Sequence, residues 1–417
     1  MHPLENPVRD YAWGSRTHIP KLLGNPPAGH PCAEMWMGAH QVAPSTLPDG
    51  RTLSQAICDQ PEEMLGKSVR TDFGDRLPFL MKLLAAAEPL SLQVHPTSER
   101  ARIRYAEQEA AGIPLDAPER SYPDASHKPE LIYALTRFEG MAGFRDLEKS
   151  AAILRGLELS WLDVIAERFE GTTTPFQTLR EVVTELLGLS GPSLEKSLRE
   201  LHAATTAAEV RSHARTAGLR RVAAGDPNAV DRESVRVYAA TGPLIERYPA
   251  DPGVLVALLL NHVVLAAGEA MFIDAGTIHA YTSGFGLEIM AASDNVLRAG
   301  LTTKHVDVPE LLAVTNFTPM PPPLWAANRL DPVGRRDATV LTPPVAEFEL
   351  VVLHLHDEST DLRTAPQVVL CLDGEVEVSS TADTTRVRKG SAVFVAGTET
   401  GVVVRGTGHV AVGRTPP

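Results

Sequence analysis

A long segment of helical character in the middle of the chain limits the possible folds more than any other feature. From about Asp146 to Pro252 the sequence is rich in Ala, Leu, Glu and Arg at helical spacing, with a helix start at Thr174-Pro175. The sequence on both sides instead has short alternating apolar runs separated by Gly- and Pro-rich turns. This pattern predicts a mainly β protein with two β domains and an α-helical insertion between them. We expect helices within 147–187, 193–219 and 234–248.

The predicted domain boundaries follow these changes of pattern. A chain of 417 residues is long enough for two or three domains. We expect a first β domain from residues 1–145 and 254–320, the helical insertion in 146–253, and a second β domain in 321–417. Strand character resumes at Val254, with turns at 267–269 and 274–276. In the second β domain, Asp373-Gly374 has the composition of a hairpin turn.

Two segments of the β-rich parts resemble each other. Residues 268–280 and 390–402 share a turn glycine, an alternating strand, the tripeptide Ala-Gly-Thr and a further strand. Such units are typical of small barrels of the jelly-roll or cupin kind. In this alignment His279 falls opposite Thr400, so the second copy lacks a residue that can bind a metal. Two such units favour two related β domains.

The composition argues against several functional classes. The net charge of −13 is unfavourable for a nucleic-acid surface and for binding to anionic membranes. The longest apolar stretch, 254–267, is interrupted by polar residues and is too short to span a bilayer. The three widely separated cysteines argue against a disulfide framework and a Cys-based zinc site. The first residues lack the basic and apolar regions of a signal peptide. We therefore expect a cytoplasmic protein without nucleic-acid or membrane partners.

The stretch LSLQVHP, residues 90–96, is predicted to be a strand with one polar face. Alternate side chains of a strand point to opposite faces, so the apolar side chains at 90, 92 and 94 should face a core. The opposite face then carries Ser91, Gln93 and His95. Polar groups on one wall of an apolar run need partners, a ligand or a metal. Pro96 should end the strand because it lacks a backbone N–H.

The surrounding sequence predicts further elements of the first β domain. Residues 78–94 should form two strands joined near Glu88-Pro89, although MKLLAAAE also has helical propensity. Thr97 and Ser98 are suitable N-caps for a helix formed by ERARIRYAEQEA. Residues 131–144 return to strand composition.

Four stretches concentrate polar groups in a β context: SLQVHP (91–96), HKPE (127–130), AGTIHAY (275–281) and the segment 286–307. Two histidines, a carboxylate and an amide oxygen from these stretches can form a divalent metal site. Each stretch alone is more typical of an ordinary strand, turn or cap. Basic residues are interleaved with these candidate ligands, which in an acidic protein indicates an anionic ligand. They are Lys82, Lys128, Arg298 and Lys304.

Taken together, the motifs resemble those of type I mannose-6-phosphate isomerases. The resemblance rests on YAWGS (11–15), AEMWMGAH (33–40), PFLMKLLAAAEPLSLQVHP (78–96), HKPELIYALTRFEGMAGFR (127–145) and AGTIHAYTSGFGLEIMAASDNVLRAGLTTKHVD (275–307). It covers about the first third of the chain and the region 255–320. The family implies a cupin-type fold with a helical insertion and a second, metal-free cupin-like domain, one Zn²⁺ per chain and a sugar-phosphate substrate. Ile278 and Thr303 depart from the family pattern, but neither changes a functional side chain.

The resemblance also implies the roles of individual residues. The zinc ligands fall on Gln93, His95, Glu130 and His279, and the active-site arginine falls on Arg298. The other residues implied to line the sugar-phosphate pocket are Trp13, Lys82, Ser91, His127, Lys128, Glu288, Asp294 and Lys304.

Isomerisation of an aldose to a ketose phosphate moves a proton between C1 and C2 through an enediol. Zn²⁺ and Arg298 can stabilise the negative charge that develops on oxygen. The base is left open between His127 and Lys128, with Asp294 or Glu288 holding it in position. Lys82, Ser91 and Lys304 are the candidates for binding the phosphate.

Two alternatives have other chemistry. A non-haem iron cupin oxygenase uses two histidines and one carboxylate, usually with an H-x-H pair that Gln93 breaks here. A non-catalytic sugar-phosphate-binding cupin would be expected to have lost Arg298 or a metal ligand. For the oligomeric state we expect a monomer, with a homodimer as the alternative. The sequence leaves open whether the enzyme serves mannose use or GDP-mannose biosynthesis.

Overall fold

The computed structural model describes residues 1–216, 229–327 and 338–417, and for 212–216 and 229–231 it describes only the backbone. In these residues the strands are β1 (His2–Leu4), β2 (Val8–Arg9), β3 (Glu34–Met37), β4 (Phe79–Ala86), β5 (Leu92–Val94), β6 (Glu130–Ala134), β7 (Phe138–Phe144), β8 (Leu260–Leu265), β9 (Ala270–Ile273), β10 (His279–Ala291), β11 (Leu297–Gly300), β12 (Leu324–Trp325), β13 (Ala338–Leu341), β14 (Glu349–Leu362), β15 (Gln367–Ser379), β16 (Thr384–Arg388), β17 (Ala392–Val395) and β18 (Val402–Arg414). The helices are α1 (His18–Leu22), α2 (Leu53–Asp59), α3 (Pro61–Phe73), α4 (Ser98–Ala110), α5 (Leu147–Arg155), α6 (Ser160–Phe169), α7 (Pro175–Leu187), α8 (Gly191–Thr216), α9 (Ala229–Arg247), α10 (Gly253–Ala257) and α11 (Val308–Val314).

The described strands form two antiparallel sheets. The first runs β12-β9-β6-β10-β4-β3-β2. Strands β5 and β7 also pair with β10, while β11 joins through β5 and β8 joins through β7. The second runs β1-β17-β15-β18-β14-β13, with β16 beside β15. The first strand of the chain thus pairs with the C-terminal strand β17, His2 lying opposite Phe394.

Two large apolar cores hold these elements together. One lies between the two sheets and combines residues of β4 and β10 with residues of β14, β15 and β17, such as Met81, Ile289, Val352 and Phe394. The other joins the helices α5 to α10 to β5, β7 and β11. The helical segment therefore packs against the part of the first sheet that carries the polar motifs.

Most of the predicted elements near these motifs are confirmed. Two strands, β4 and β5, lie on either side of Glu88-Pro89, so the helical alternative for MKLLAAAE is wrong. The side chain of Thr97 accepts a hydrogen bond from the N–H of Arg100 and caps α4. The helical segment contains α5 to α9, and the predicted continuation of α8 to Leu219 lies outside the described residues. No helix in the described ranges is long and apolar enough to cross a membrane.

Three details of the prediction are wrong. Asp373-Gly374, predicted as a hairpin turn, lies inside the long strand β15, at an irregularity of its pairing with β18. A glycine suits this position because φ is 80° and the backbone of Thr407 lies close to Gly374. Strand structure resumes at Leu260, after the short helix α10, and not at Val254. Leu90, predicted to lie in the same strand as Leu92 and Val94, precedes β5, borders the cavity described below and packs against a different apolar cluster.

Candidate metal centre and active-site cavity

A cavity of about 640 Å³ lies over the first sheet and contains most of the predicted site residues. Ten of the thirteen line it: Trp13, Lys82, Ser91, Gln93, Lys128, Glu130, Glu288, Asp294, Arg298 and Lys304. His95 and His279 are fully buried and contact Glu130. The structure therefore brings together twelve residues that are spread over nearly three hundred positions of the sequence.

Strand β5 lies between two strands that carry other predicted site residues, β10 on one side and β11 on the other. Gln93 lies opposite His279 of β10 on one side and opposite Arg298 of β11 on the other. Leu92 and Val94 are fully buried in the core next to the helices. Their burial fixes the face on which Gln93 lies, since side chains alternate along a strand.

Three side chains at this position form a group that can hold a metal ion. Atoms of His95, Glu130 and His279 that can bind a metal all lie within 4.8 Å of one another. His95 Nε2 is 3.2 Å from Glu130 Oε1, and His279 Nε2 is 3.3 Å from Glu130 Oε2. The amide of Gln93 completes the group, with its nitrogen 3.3 Å from His279 Nε2. The oxygen and nitrogen of such an amide are distinguished only by their hydrogen bonds, and a half-turn presents the oxygen to the same point.

The orientation of both imidazoles suits metal binding. His95 Nδ1 donates to the backbone oxygen of Asn295 (2.9 Å), and His279 Nδ1 donates to that of Thr277 (3.0 Å). These bonds place the proton on each Nδ1 and leave each Nε2 as the acceptor, as in metal-binding histidines with a fixed tautomer. His95 Nε2 and Glu130 Oε2 are buried and have no hydrogen-bond partner in the described structure. Buried polar atoms without partners are costly, and a cation between them would satisfy both.

The charge states in this group also suit a cation. Burial lowers the pKa of His95 to about 4, although Glu130 counteracts this, so the imidazole is neutral near pH 7. Burial alone would raise the pKa of Glu130, but the Lys128 ammonium and the neighbouring imidazoles hold it well below its ordinary value. Neutral imidazoles and an ionised carboxylate are the forms that bind metals.

A second buried group surrounds the ammonium of Lys82. Lys82 Nζ lies 3.3 Å from Glu288 and 3.9 Å from Glu34, and 5.0 Å from the ring centre of Trp36. The register explains this contact, since Lys82 of β4 lies opposite Glu288 of β10 and Trp36 of β3. Burial alone would lower the pKa of Lys82, but the two carboxylates raise it above its ordinary value. Lys82 is thus charged and already balanced by two carboxylates.

Arg298 and Lys304 differ from Lys82 in the charges that surround them. Within the described residues, neither has a carboxylate oxygen within 4.0 Å. Burial lowers the pKa of Arg298, and burial together with the charge of Arg298 lowers that of Lys304. Two cations at one cavity wall, without counter-charges, form an environment that favours an anion.

The loop that carries Asp294 is fastened from outside the cavity. Asp124 accepts hydrogen bonds from the side chain of Ser293 and the backbone N–H of Asp294. The Asp294 carboxylate lies 3.3 Å from Nε2 of the buried His40. Burial alone would raise the pKa of Asp294, but His40 outweighs this and lowers it. Asp294 is therefore held as a carboxylate at the wall of the cavity.

Comparisons with known proteins place this chain in a family. Residues 1–147 match a family model described as phosphomannose isomerase type I, catalytic domain. The mannose-6-phosphate isomerase of Escherichia coli (strain K12) is 36% identical over 419 residues, which cover 99% of this chain and 98% of that protein. The chain belongs to the mannose-6-phosphate isomerase family. The Homo sapiens member is 32% identical over 426 residues, which cover 96% of this chain and 94% of that protein.

Solved structures of the family have the same fold over the whole chain. A crystal structure of mannose 6-phosphate isomerase from Salmonella typhimurium, bound to substrate and a zinc atom, matches with a TM-score of 0.85 at 34% identity. A zinc-bound holo structure matches with a TM-score of 0.84. The first match covers 100% of both chains. The likeness therefore extends beyond the sequence motifs to the helical segment and the C-terminal sheet.

One predicted site residue does not reach the cavity. His127 is not part of the cavity wall, and its Nε2 lies 2.6 Å from Glu347, just before β14. It contacts the C-terminal part of the chain, so this geometry does not support its assignment as a base. The HKPE motif contributes Lys128 and Glu130 instead.

Several cavity residues were missed by the sequence analysis. Tyr281 follows His279 by two positions on β10, and Glu34 lies in the AEMWMGAH motif, so both were within recognised stretches. Arg247 and Tyr248 lie at the end of α9, in the helical segment. No local motif marks these two residues, and only the packing of α9 against the sheet brings them to the cavity.

Proposed function

We propose that this enzyme interconverts mannose 6-phosphate and fructose 6-phosphate by proton transfer through an enediol, with one Zn²⁺ per chain. The observation that carries the proposal is a potential metal site at the wall of a cavity that also presents Arg298 and Lys304, which have no counter-charge among the described residues. Membership of the family gives the reaction, and the cavity supplies groups suited to its steps.

The four groups at the metal position fit zinc. Two imidazole nitrogens, a carboxylate and an amide oxygen from Gln93, His95, Glu130 and His279 would hold it. The unpartnered buried atoms of His95 and Glu130 support this assignment. When bound, zinc supplies a Lewis acid for the oxygens of the sugar.

Three groups suit the proton transfer and its charge. Glu288 is our assignment for the proton carrier, because burial raises its pKa towards the working range although Lys82 counteracts this. It would take the proton from one carbon and return it to the other. Asp294 stays ionised and suits a sugar hydroxyl as a hydrogen-bond acceptor. Arg298 would stabilise the charge on the enediolate oxygen with its fixed positive charge. Lys128 donates to Glu130, so its ammonium is already engaged.

The phosphate is assigned to Lys304 and Ser91. Lys304 lacks a carboxylate partner within the described residues, and charge-assisted hydrogen bonds hold a dianion well. Lys82 is less suited than the sequence indicated, since Glu34 and Glu288 already balance its charge. We assign Lys82 to the electrostatics of Glu288 instead. Trp13 lines the same cavity and can cover the apolar side of the sugar.

The two sheets support a pair of cupin-like jelly-roll domains with the boundaries 1–145 with 254–320, 146–253 and 321–417. The predicted repeat coincides with matching elements: a positive-φ glycine (Gly268 and Gly390), a four-residue strand (β9 and β17) and a thirteen-residue strand (β10 and β18). Thr400 stands where the first copy has His279, so the second domain is proposed to be metal-free. The exception to these boundaries is β1, which pairs with β17. A cytoplasmic monomer remains our prediction for location and assembly.

A coupled assay tests this function. Fructose 6-phosphate formed from mannose 6-phosphate is measured with the native enzyme, after chelation, and after addition of Zn²⁺. We expect activity that chelation removes and Zn²⁺ restores. Full activity after demonstrated removal of the metal would refute the role of zinc. Oxygen uptake by an iron-loaded preparation would favour the oxygenase alternative, and phosphate-ester binding without turnover would favour the binding protein.

A further inference from the structure

The helical segment contributes a cation to the active-site cavity. Helix α9 ends at Arg247, and Arg247 and Tyr248 line the cavity together with Ser91, Arg298 and Lys304. The guanidinium of Arg247 lies 5.8 Å from the ring centre of Tyr248, and its Nε donates to the hydroxyl of that residue at 3.3 Å. The arginine is thus placed at the wall of the proposed substrate cavity although it belongs to another part of the fold.

The partner of this arginine is weakly held. Arg247 lies 2.6 Å from Glu88, and the two side chains are 39% and 43% exposed. Exposed ion pairs contribute little to stability, because water competes for both charges. Lys82 and Lys128, by contrast, are buried against the carboxylates that they contact. Among the paired cations of the cavity wall, Arg247 is therefore the one that can change partner at low cost.

The end of α9 is fastened to the loop that carries Lys304. Asp251 accepts a hydrogen bond from the N–H of Gly253 at 2.8 Å and from that of Thr302 at 3.2 Å. The backbone of Gly300 lies so close to Gly253 that a Cβ added to Gly300 would lie 2.6 Å from the Cα of Gly253. These contacts join the residues that follow Arg247, up to Gly253, and the segment 300–304 into one wall of the cavity. Arg247 and Lys304 thus face the cavity from a common support.

We propose that Arg247 binds the phosphate of the sugar substrate, and that Glu88 holds its guanidinium at the cavity rim until the phosphate displaces it. A guanidinium presents a planar fork of donors that matches a phosphate, and a dianion competes well with a single exposed carboxylate. The helical segment then takes part in substrate recognition. This inference rests on the proposed function, because that function supplies the phosphate ester.

The test measures the zinc-loaded full-length enzyme with Arg247→Gln, with Arg247→Lys and with Glu88→Gln. We expect Arg247→Gln to raise KM for mannose 6-phosphate and the inhibition constant of inorganic phosphate by about tenfold each, the usual effect of losing a hydrogen bond to a charged group. The fall in kcat should be smaller than the rise in KM, because the interaction is made with the bound substrate as well as with the transition state. Arg247→Lys should recover part of the loss. Glu88→Gln should lower the inhibition constant of phosphate about two- to fivefold, since it removes the competing carboxylate.

Arg155→Gln is the matched control. Arg155 also lies on the helical segment and pairs at 2.7 Å with Glu170, and these two side chains are 40% and 41% exposed. It does not line the cavity, so KM and the inhibition constant should stay at the values of the unmodified enzyme. Unchanged constants in Arg247→Gln, with chelator-sensitive isomerase activity intact, would overturn this inference and leave the proposed function standing. If the unmodified enzyme did not isomerise the sugar, the function would fail, and calorimetric titration with inorganic phosphate would still test Arg247.

Discussion

Replacement of Lys82 by methionine separates a structural from a substrate-binding role of this residue. The Lys82 side chain is 8% exposed, and it lies between the carboxylates of Glu288 and Glu34 at 3.3 Å and 3.9 Å. At an effective dielectric constant of about 20, each attraction amounts to about 4–5 kcal/mol before the cost of desolvation. Measured losses on breaking a buried ion pair are about 3–5 kcal/mol, because a buried charge is left without a partner. We expect Lys82→Met to lower the free energy of unfolding by about that amount.

The loss should depend on pH with a defined sign. The pKa of Glu288 is already raised by burial, although Lys82 counteracts this, and removal of Lys82 should raise it further. A carboxyl whose pKa is raised in the folded state destabilises the fold above its unfolded pKa, and this cost fades as the pH falls through the folded pKa towards about 4.3. The destabilisation should therefore be larger at about pH 8 than at about pH 5.5.

Urea unfolding of the zinc-loaded protein at both pH values measures this effect. Lys67→Met is the matched control, since Lys67 is exposed and its replacement should change the unfolding free energy by less than about 0.5 kcal/mol. Adding Glu288→Gln to Lys82→Met should recover part of the loss, because it removes one of the unpaired carboxylates. If Lys82→Met lowered the unfolding free energy by less than about 1 kcal/mol, equally at both pH values, and raised KM, the reasoning would be refuted. Lys82 would then be assigned to phosphate binding.

Three further predictions concern other parts of the structure. Glu130→Ala should lower the zinc content, measured by mass spectrometry, from one ion per chain towards zero. Arg298→Ala should keep the metal and lose turnover. Equal zinc contents in the two variants would contradict the assignment of Glu130 as a ligand. His40→Asn should raise the pKa of Asp294, which His40 now lowers, and NMR titration of the Asp294 carboxyl carbon measures this shift; an unchanged pKa would show that His40 does not hold Asp294 in its ionised form. Arg145→Met should lower the free energy of unfolding by about 3–5 kcal/mol, because the buried guanidinium joins Glu233 of α9 to the backbone before β8. A change in the unfolding midpoint no larger than that of Lys67→Met would show that these contacts do not stabilise the fold.

The sequence was informative where chemistry is carried by short motifs. Gln93, His95, Glu130 and His279 each stand in a recognisable stretch, and the structure brings the latter three within 4.8 Å of one another. It was less informative where the partner of a residue is set by strand register. Lys82 carries no local sign that Glu288 and Trp36 lie opposite it, because these partners come from other strands.

Backbone geometry and helix packing explain two other differences. Asp373-Gly374 has the composition of a hairpin turn, but the positive φ of Gly374 serves an irregularity within a long strand, which needs the same freedom. Arg247 ends an ordinary amphipathic helix, and its functional position depends on how that helix packs against the sheet. Neither the composition nor the periodicity of a helix specifies which end will border a cavity.

The position of Gln93 between two strands shows why the site and the core are specified together. A slip of β5 by one residue against either neighbour would turn Gln93 away from both His279 and Arg298. The same slip would expose Leu92 and Val94, which are fully buried. The apolar residues of this short strand therefore fix the register by their burial, and the register in turn aligns Gln93, a proposed metal ligand, with Arg298. The proposed ligands come from β5 and the residue after it, from β6 and from β10, which are distant in sequence. The metal can therefore find them together only in the folded protein, so that binding and stability should be linked.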